Sequence, residues 1–146
     1  MTRVGWFKNA IIYHILIDRF AGYESTKNWY KPEFLGGNIR GIIGKLSYLK
    51  QLGINIIWIS PFYKTSAYHG YHITDFFQID SHFGTTNDII ELIETVHNYD
   101  MKIIADFVPN HCSNQHPFFL EAQKDKDSVY RKWFYFTNWP DNYLCF

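Results

Sequence analysis

The run KIIADFVPNH, from Lys102 to His111, decides how the rest of the chain is read. It opens as a short apolar strand, Lys102 to Val108, and ends in three polar side chains, Asp106, Asn110 and His111. An acid inside an apolar strand is costly unless it is paired or hydrogen-bonded. Asn110 and His111 just beyond it could hold a sugar hydroxyl or a metal. The structural alternative is a strand-to-loop turn served by the Asn110 side chain.

Two earlier runs have the same character: Ala10 to Ile17 (AIIYHILI) and Ile54 to Ser60 (INIIWIS). Continuous apolar runs of this length suit parallel strands covered on both faces. Between them Ile42, Leu46, Leu49 and Leu52 make a stripe at helical spacing, with Gly53 as its stop. A second stripe, Ile89, Leu92, Ile93 and Val96, follows a capping box of Thr85 and Asp88. The order β-α-β-α-β implies an α/β fold with a parallel sheet and right-handed crossovers. Long loops follow the first two strands, at residues 18–40 and 61–84, and such loops carry function more often than short ones.

A doubly wound sheet and a (β/α)8 barrel both satisfy this order. A dinucleotide-binding unit would place G-x-G-x-x-G after the first strand. That strand instead runs into Asp18, Arg19 and Phe20. A complete barrel takes about 250 residues, and this chain has 146. It would supply three strands of the eight.

Fourteen basic residues balance fourteen acidic ones. The sequence therefore offers no electrostatic attraction to nucleic acid or to an anionic membrane surface. No apolar run approaches the length needed to cross a bilayer, about 20 residues. No apolar signal-peptide core is evident near the N-terminus, so the expected location is cytoplasmic. Cys112 and Cys145 form no C-x-x-C pair, and a disulfide between them is an open option. Phe, Tyr and Trp make up 20% of the chain. They suit a large core, and equally the apolar faces of sugar rings.

Two further clusters fall after strands. Tyr68-His69-Gly70-Tyr71-His72, followed by Asp75, places a stacking ring and hydrogen-bonding imidazoles beside a glycine that lets the backbone approach a ligand. The alternative is an ordered loop with its rings packed inward. Asp18 and Arg19 read best as a structural ion pair. Asp75 and Asp106, from neighbouring strand ends, are a conceivable catalytic pair. They are set aside because Asp106 is expected to lie within its strand, buried beneath the site.

Taken in order, these segments resemble the α-amylase superfamily of glycoside hydrolases. Tyr13 to Phe20 matches Y-x-I-x-x-D-R-F, and Gly36-Gly37-Asn38-Ile39-Arg40-Gly41-Ile42 is similar to the family's G-G-D-L-x-G-I. Ile57 to Pro61, His69-Gly70-Tyr71 through Asp75, Ile79-Asp80, Phe83-Gly84-Thr85 and Asp106 to His111 follow the same pattern. The resemblance implies retaining hydrolysis or transfer at α-glucosidic bonds of starch-like oligosaccharides. One carboxylate attacks the anomeric carbon and a second protonates the leaving oxygen, the two standing about 5–5.5 Å apart.

The family carries those groups at the ends of its fourth and fifth strands, with a further Asp after the seventh. None of these regions falls within the 146 residues, so the chain is expected to lack the catalytic acids and to be inactive alone. The resemblance assigns Tyr71, His69 and His111 to substrate binding. It assigns Asp106, Asp75 and Arg19 to structural support. Asn110 is a possible calcium ligand, with no cofactor otherwise required. The expected partner is an α-glucan or maltooligosaccharide. His72 departs from the Asp of some exo-acting relatives and the Trp of many endo-acting ones, and Asn38 replaces the usual acid.

Residues 1–111 are read as the N-terminal part of the barrel. Residues 112–146 are read as the start of the domain the family inserts after its third strand, with His116 to Phe119 and Trp133 to Phe136 carrying the likeness. A fragment of an α-glucan-acting enzyme is the favoured reading. A carbohydrate-binding remnant and a complementing half-barrel are the alternatives.

Overall fold

A computed structural model describes residues 5–22 and 29–136. The elements are β1 (Ile12–Ile15), α1 (Ile17–Phe20), α2 (Ile39–Ile43), α3 (Leu46–Gln51), β2 (Ile56–Ile59), β3 (Tyr63–Thr65), β4 (Ile73–Ile79), α4 (Thr86–Asn98), β5 (Lys102–Ala105) and α5 (Pro117–Lys124). β1, β2 and β5 form a parallel sheet in that order. Ile15 is in register with Ile59, and Ile59 with Ala105. All three expected strands exist and are parallel, but each is shorter than its apolar run. Ile17 leaves the sheet to begin α1, and Asp106, Phe107 and Val108 lie beyond β5.

The first helical stripe is divided. The Lys45 N–H bonds Ile42 O rather than the carbonyl four residues back, and Gly44, a poor helix former, sits at the break. Ile42, Leu46 and Leu49 are fully buried, whereas Leu52 is left exposed. Gly53, with φ +83°, turns the chain toward β2 as its stop role requires. The second stripe forms α4. Its N-terminus is closed by the reciprocal Thr85–Asp88 box, which satisfies N–H groups that the helix itself cannot.

The main core lies on one face of the sheet, where Ile15, Ile57 and Ile59 meet Ile39, Ile42, Leu46, Leu49, Leu92, Val96 and Phe83. The opposite face holds His14 against Trp58, with ring centroids 4.3 Å apart. Trp58 and Ile12 remain substantially exposed there.

The long loop after β2 has secondary structure of its own. It contains the antiparallel hairpin β3–β4. Buried Asp80 secures this hairpin by accepting from the Thr65 N–H at 2.9 Å and the His82 N–H at 2.9 Å. After β5, the Ser113 N–H bonds Ile73 O at 2.9 Å, tying the following segment to β4. α5 then begins with His116 as N-cap and Pro117 in its first turn. Cys145 lies outside the described residues, and so does any pairing it makes. Among the described residues no helix is long and apolar enough to cross a membrane.

Candidate functional site

Parallel strands place the loops that follow them at one end of the sheet. The loop after β2 therefore meets the loop after β5. Tyr71 comes from the first and Asp106 and His111 from the second, and the three converge. The Tyr71 hydroxyl donates to Asp106 Oδ2 at 2.7 Å. The Tyr71 carbonyl lies 3.1 Å from His111 Nε2, and the Tyr71 N–H donates to His69 Nδ1 at 3.1 Å. His69 and Tyr71 stack with centroids 5.9 Å apart, and His72 meets His69 edge-on at 4.7 Å.

Gly70 explains how the loop comes in so closely. Its φ is +83°, and a Cβ there would stand 2.1 Å from Pro61 O. No other residue fits against the end of β2 in this way.

The local fields follow from this packing. Burial pushes the Tyr71 phenol up to about 12, reinforced by the hydrogen bond to Asp106 and by its charge. Tyr63 is raised in the same sense, by burial first and then by the Asp106 charge. His69 is held below the usual histidine value by burial, with His72 and His111 adding to the effect. The site therefore presents neutral phenols and a neutral imidazole around one carboxylate.

The residues singled out from the sequence are not all placed together. Tyr71, His69, His111 and Asp106 are brought together. Asp106, however, is half-buried and lies one residue past β5 rather than deep within a strand. That removes burial as the reason for setting aside an Asp75–Asp106 pair. A second reason replaces it: the Asp75 carboxylate is engaged within its own strand, accepting from the Phe77 N–H and from Gln78 Nε2, each at 2.8 Å. The Asp75 charge acts on His116 instead.

Asp18 and Arg19 are the structural pair expected. Asp18 is fully buried and accepts from the Leu35 N–H at 3.0 Å and the Gly36 N–H at 3.2 Å, while its carboxylate contacts the Arg19 guanidinium. Arg19 Nη2 donates to Lys31 O and Glu33 O, each at 3.0 Å, and the guanidinium lies 4.1 Å over the Tyr68 ring. Among the described residues, Arg19 is linked to the site through Tyr68, whose ring edge meets His69.

Asn110 is exposed, and its Nδ2 lies 3.2 Å from His111 Nδ1. Calcium takes six to eight oxygen ligands. Among the described residues no group of three or more His, Cys, Asp or Glu is placed to hold a metal ion.

Two residues in the family-like segments, Ser60 and Asp80, act as supports that the sequence reading did not assign. Ser60 Oγ accepts from the Ile17 N–H at 3.2 Å, locking β2 to the start of α1. Asp80 holds the hairpin. Its only local signal is an acid followed by a turn.

The residues 14–143 match the family model described as the alpha amylase catalytic domain. Alpha-amylase 2 of Dictyoglomus thermophilum is 49% identical over 133 residues, covering 90% of this chain and 24% of that protein. The oligo-1,6-glucosidase of Parageobacillus thermoglucosidasius is 41% identical, covering 92% of this chain and 22% of that protein. Among solved structures, the alpha-amylase from Geobacillus thermoleovorans complexed with acarbose aligns with a TM-score of 0.76 at 36% identity, over 90% of this chain and 29% of that one. The cyclic alpha-maltosyl-(1→6)-maltose hydrolase from Arthrobacter globiformis aligns with a TM-score of 0.82 at 29% identity, over 92% and 33%. The chain spans about a quarter of the length of the curated relatives it matches.

Proposed function

Because this chain belongs to the alpha-amylase catalytic-domain family, we propose that its 146 residues form the sugar-positioning part of a glycosidase acting on α-glucosidic bonds. The observation that carries this reading is the convergence on Tyr71: Asp106 on its hydroxyl, His69 on its N–H and His111 on its carbonyl. In this reading the Tyr71 ring stacks on the glucose unit at the cleavage point. His69 and His111 bond its hydroxyls. Asp106, anchored by the phenol, helps orient an arginine near the nucleophile. Arg19 and Asp75 are supports one step removed.

Holding a sugar this way lowers the entropic part of the barrier. It does not cleave the bond. Cleavage needs a nucleophile and an acid whose pKa is raised, and we place both on strands other than β1, β2 and β5. The sheet face bearing His14 and Trp58 supports this, because it is the face a closed barrel packs in layers of side chains. Residues 1–111 belong to that barrel and residues 112–146 to the domain inserted after its third strand. The substrate class is a starch-like α-glucan or maltooligosaccharide.

The test is calorimetric titration of the pure chain with maltoheptaose, paired with a reducing-sugar assay on starch. Weak binding that Tyr71→Ala abolishes, with no sugar released, is the expected result. Sugar release by the 146-residue chain would refute the division of labour. Binding unaffected by Tyr71→Ala would refute the site.

A further inference from the structure

The neighbours of Tyr71 act on its backbone as well as its ring. Its N–H donates to His69 Nδ1, and a ring nitrogen accepts only when it carries no hydrogen. The neutral ring must then keep its single proton on Nε2. A second proton would turn Nδ1 into a donor facing a donor.

The turn between the two residues has little room to adjust. The Gly70 N–H bonds Ala67 O at 2.9 Å, and a Cβ added at Gly70 would stand 2.1 Å from Pro61 O. A side-chain acceptor taking the N–H two residues on is the geometry that Asn and Asp use in Asx turns. Here a titratable group performs it.

We propose that His69 is a positioning residue whose neutral, Nε2-protonated ring fixes the turn of residues 69–71, and with it Tyr71, and that protonation of this ring releases both. The consequence for sugar binding rests on the reading of Tyr71 given above. The latch itself does not.

The groups facing the ring from its own loop are Tyr68 at 5.3 Å, Tyr71 at 5.9 Å and His72 at 4.7 Å. His111 faces it from the loop after β5. Asp106 reaches the cluster through the Tyr71 hydroxyl, and the Arg19 cation through the Tyr68 ring. Burial, His72 and His111 all oppose a positive charge on His69. The sign follows from a lowered histidine pKa. The contribution of the latch is fully present above the ordinary histidine value and is lost as the pH falls through the lower value of the folded protein. α-Glucan affinity should therefore weaken in mild acid without involving any catalytic carboxylate.

The experiment follows the ring nitrogens of His69 and the Tyr71 amide by NMR across the acid range in isotope-labelled protein, and measures maltoheptaose affinity at about pH 7 and about pH 5. The expected results are an Nε2–H tautomer at neutral pH, a Tyr71 amide that moves with the His69 titration, and affinity falling by up to about tenfold per pH unit, the limit for one linked proton. In His69→Asn the side-chain oxygen can accept from the Tyr71 N–H without titrating, so the ratio of affinities at the two pH values should collapse toward one. His69→Ala should lose the turn at every pH. If that variant does not fold, the Asn variant still decides. An Nδ1–H tautomer, a Tyr71 amide indifferent to His69, or an undiminished pH ratio in His69→Asn would overturn the proposal. If the amide follows His69 but maltoheptaose binds at no pH, the latch stands and the sugar-site reading fails.

Discussion

The Tyr71 hydroxyl and Asp106 Oδ2 are joined by a 2.7 Å hydrogen bond that spans 35 residues of sequence and couples the loop after β2 to the end of β5. A bond to an ionised acceptor contributes more than a neutral one, but this pair is only half-buried and water can replace part of it. Tyr71→Phe should therefore destabilise the protein by about 1 kcal/mol, read from the midpoint of urea denaturation. Maltoheptaose affinity should fall less than in Tyr71→Ala, because the ring that covers the sugar is kept.

The same bond predicts a distinctive titration. The phenol is raised to about 12, by burial and then by Asp106. A raised pKa means that the stabilising proton is fully in place below the ordinary tyrosine value near 10 and is lost as the pH climbs through the folded value. Spectrophotometric titration of the folded protein should show a tyrosine ionising late, and Asp106→Asn should move it back toward the ordinary range. A profile unchanged by Asp106→Asn would contradict the assignment.

Gly70 makes a sharper case. Its φ of +83°, and the 2.1 Å that would separate an added Cβ from Pro61 O, are two separate obstacles to any side chain. Strained backbone alone costs about 1–3 kcal/mol, and a clash with backbone cannot be relieved by a rotamer change. Gly70→Ala should lower the melting temperature measurably and weaken maltoheptaose binding, since the loop carrying His69 and Tyr71 must shift. Gly53→Ala, also at φ +83° but with open space around it, should cost stability and leave binding alone.

How much of this was legible depended on the range of the interaction. The strands showed through because continuous Ile runs mark buried parallel strands, and the Thr85–Asp88 box showed through because a cap is local. The break at Gly44 and Lys45 was hidden, since Ile42, Leu46 and Leu49 keep helical spacing through two helices. The hairpin β3–β4 was hidden as well. Its pairing is irregular, with register shifts at Lys64, and it is held by Asp80, the residue after β4, whose bond to the Thr65 N–H spans 15 residues and follows no periodicity. In the site, the motif named Tyr71, His69, His111 and Asp106, but no spacing rule could reveal that His69 and His111 hold the Tyr71 backbone. The influence of the Asp75 charge on His116 was equally invisible, because it acts through space between separate elements.

Asp18 anchors the chain at Leu35 and Gly36. It is completely buried, accepts from the Leu35 and Gly36 N–H groups, and contacts Arg19. Removing one member of a buried pair strands the other, at a cost of roughly 3–5 kcal/mol. Asp18→Ala should do this and also leave two backbone donors unsatisfied. Differential scanning calorimetry should show a large drop in melting temperature or no folded protein. A variant as stable as wild type would mean that the loop of residues 31–36 is held by something else.

The cap of α4 gives a milder effect with its own pH signature. Thr85 Oγ1 accepts from the Asp88 N–H at 3.3 Å, and Asp88 Oδ2 accepts from the Thr85 N–H at 2.7 Å. Losing an N-cap hydroxyl typically costs about 1 kcal/mol, so Thr85→Ala should lower stability by that order in urea denaturation. The Asp88 carboxyl is held below the ordinary value, first by hydrogen bonds from the Thr85 side chain and backbone and then by Arg40. A depressed carboxyl stabilises the fold above the unfolded value, about 3.9, and that contribution is lost as the pH falls through the lower folded value. Wild type should therefore lose stability in acid more steeply than Asp88→Asn does, with the two curves converging only at the acid end. Arg40 is mostly exposed at its end of the Asp88 ion pair, so Arg40→Ala should change this profile far less than Thr85→Ala. An Arg40 variant with the larger effect would mean that charge rather than capping holds the start of α4.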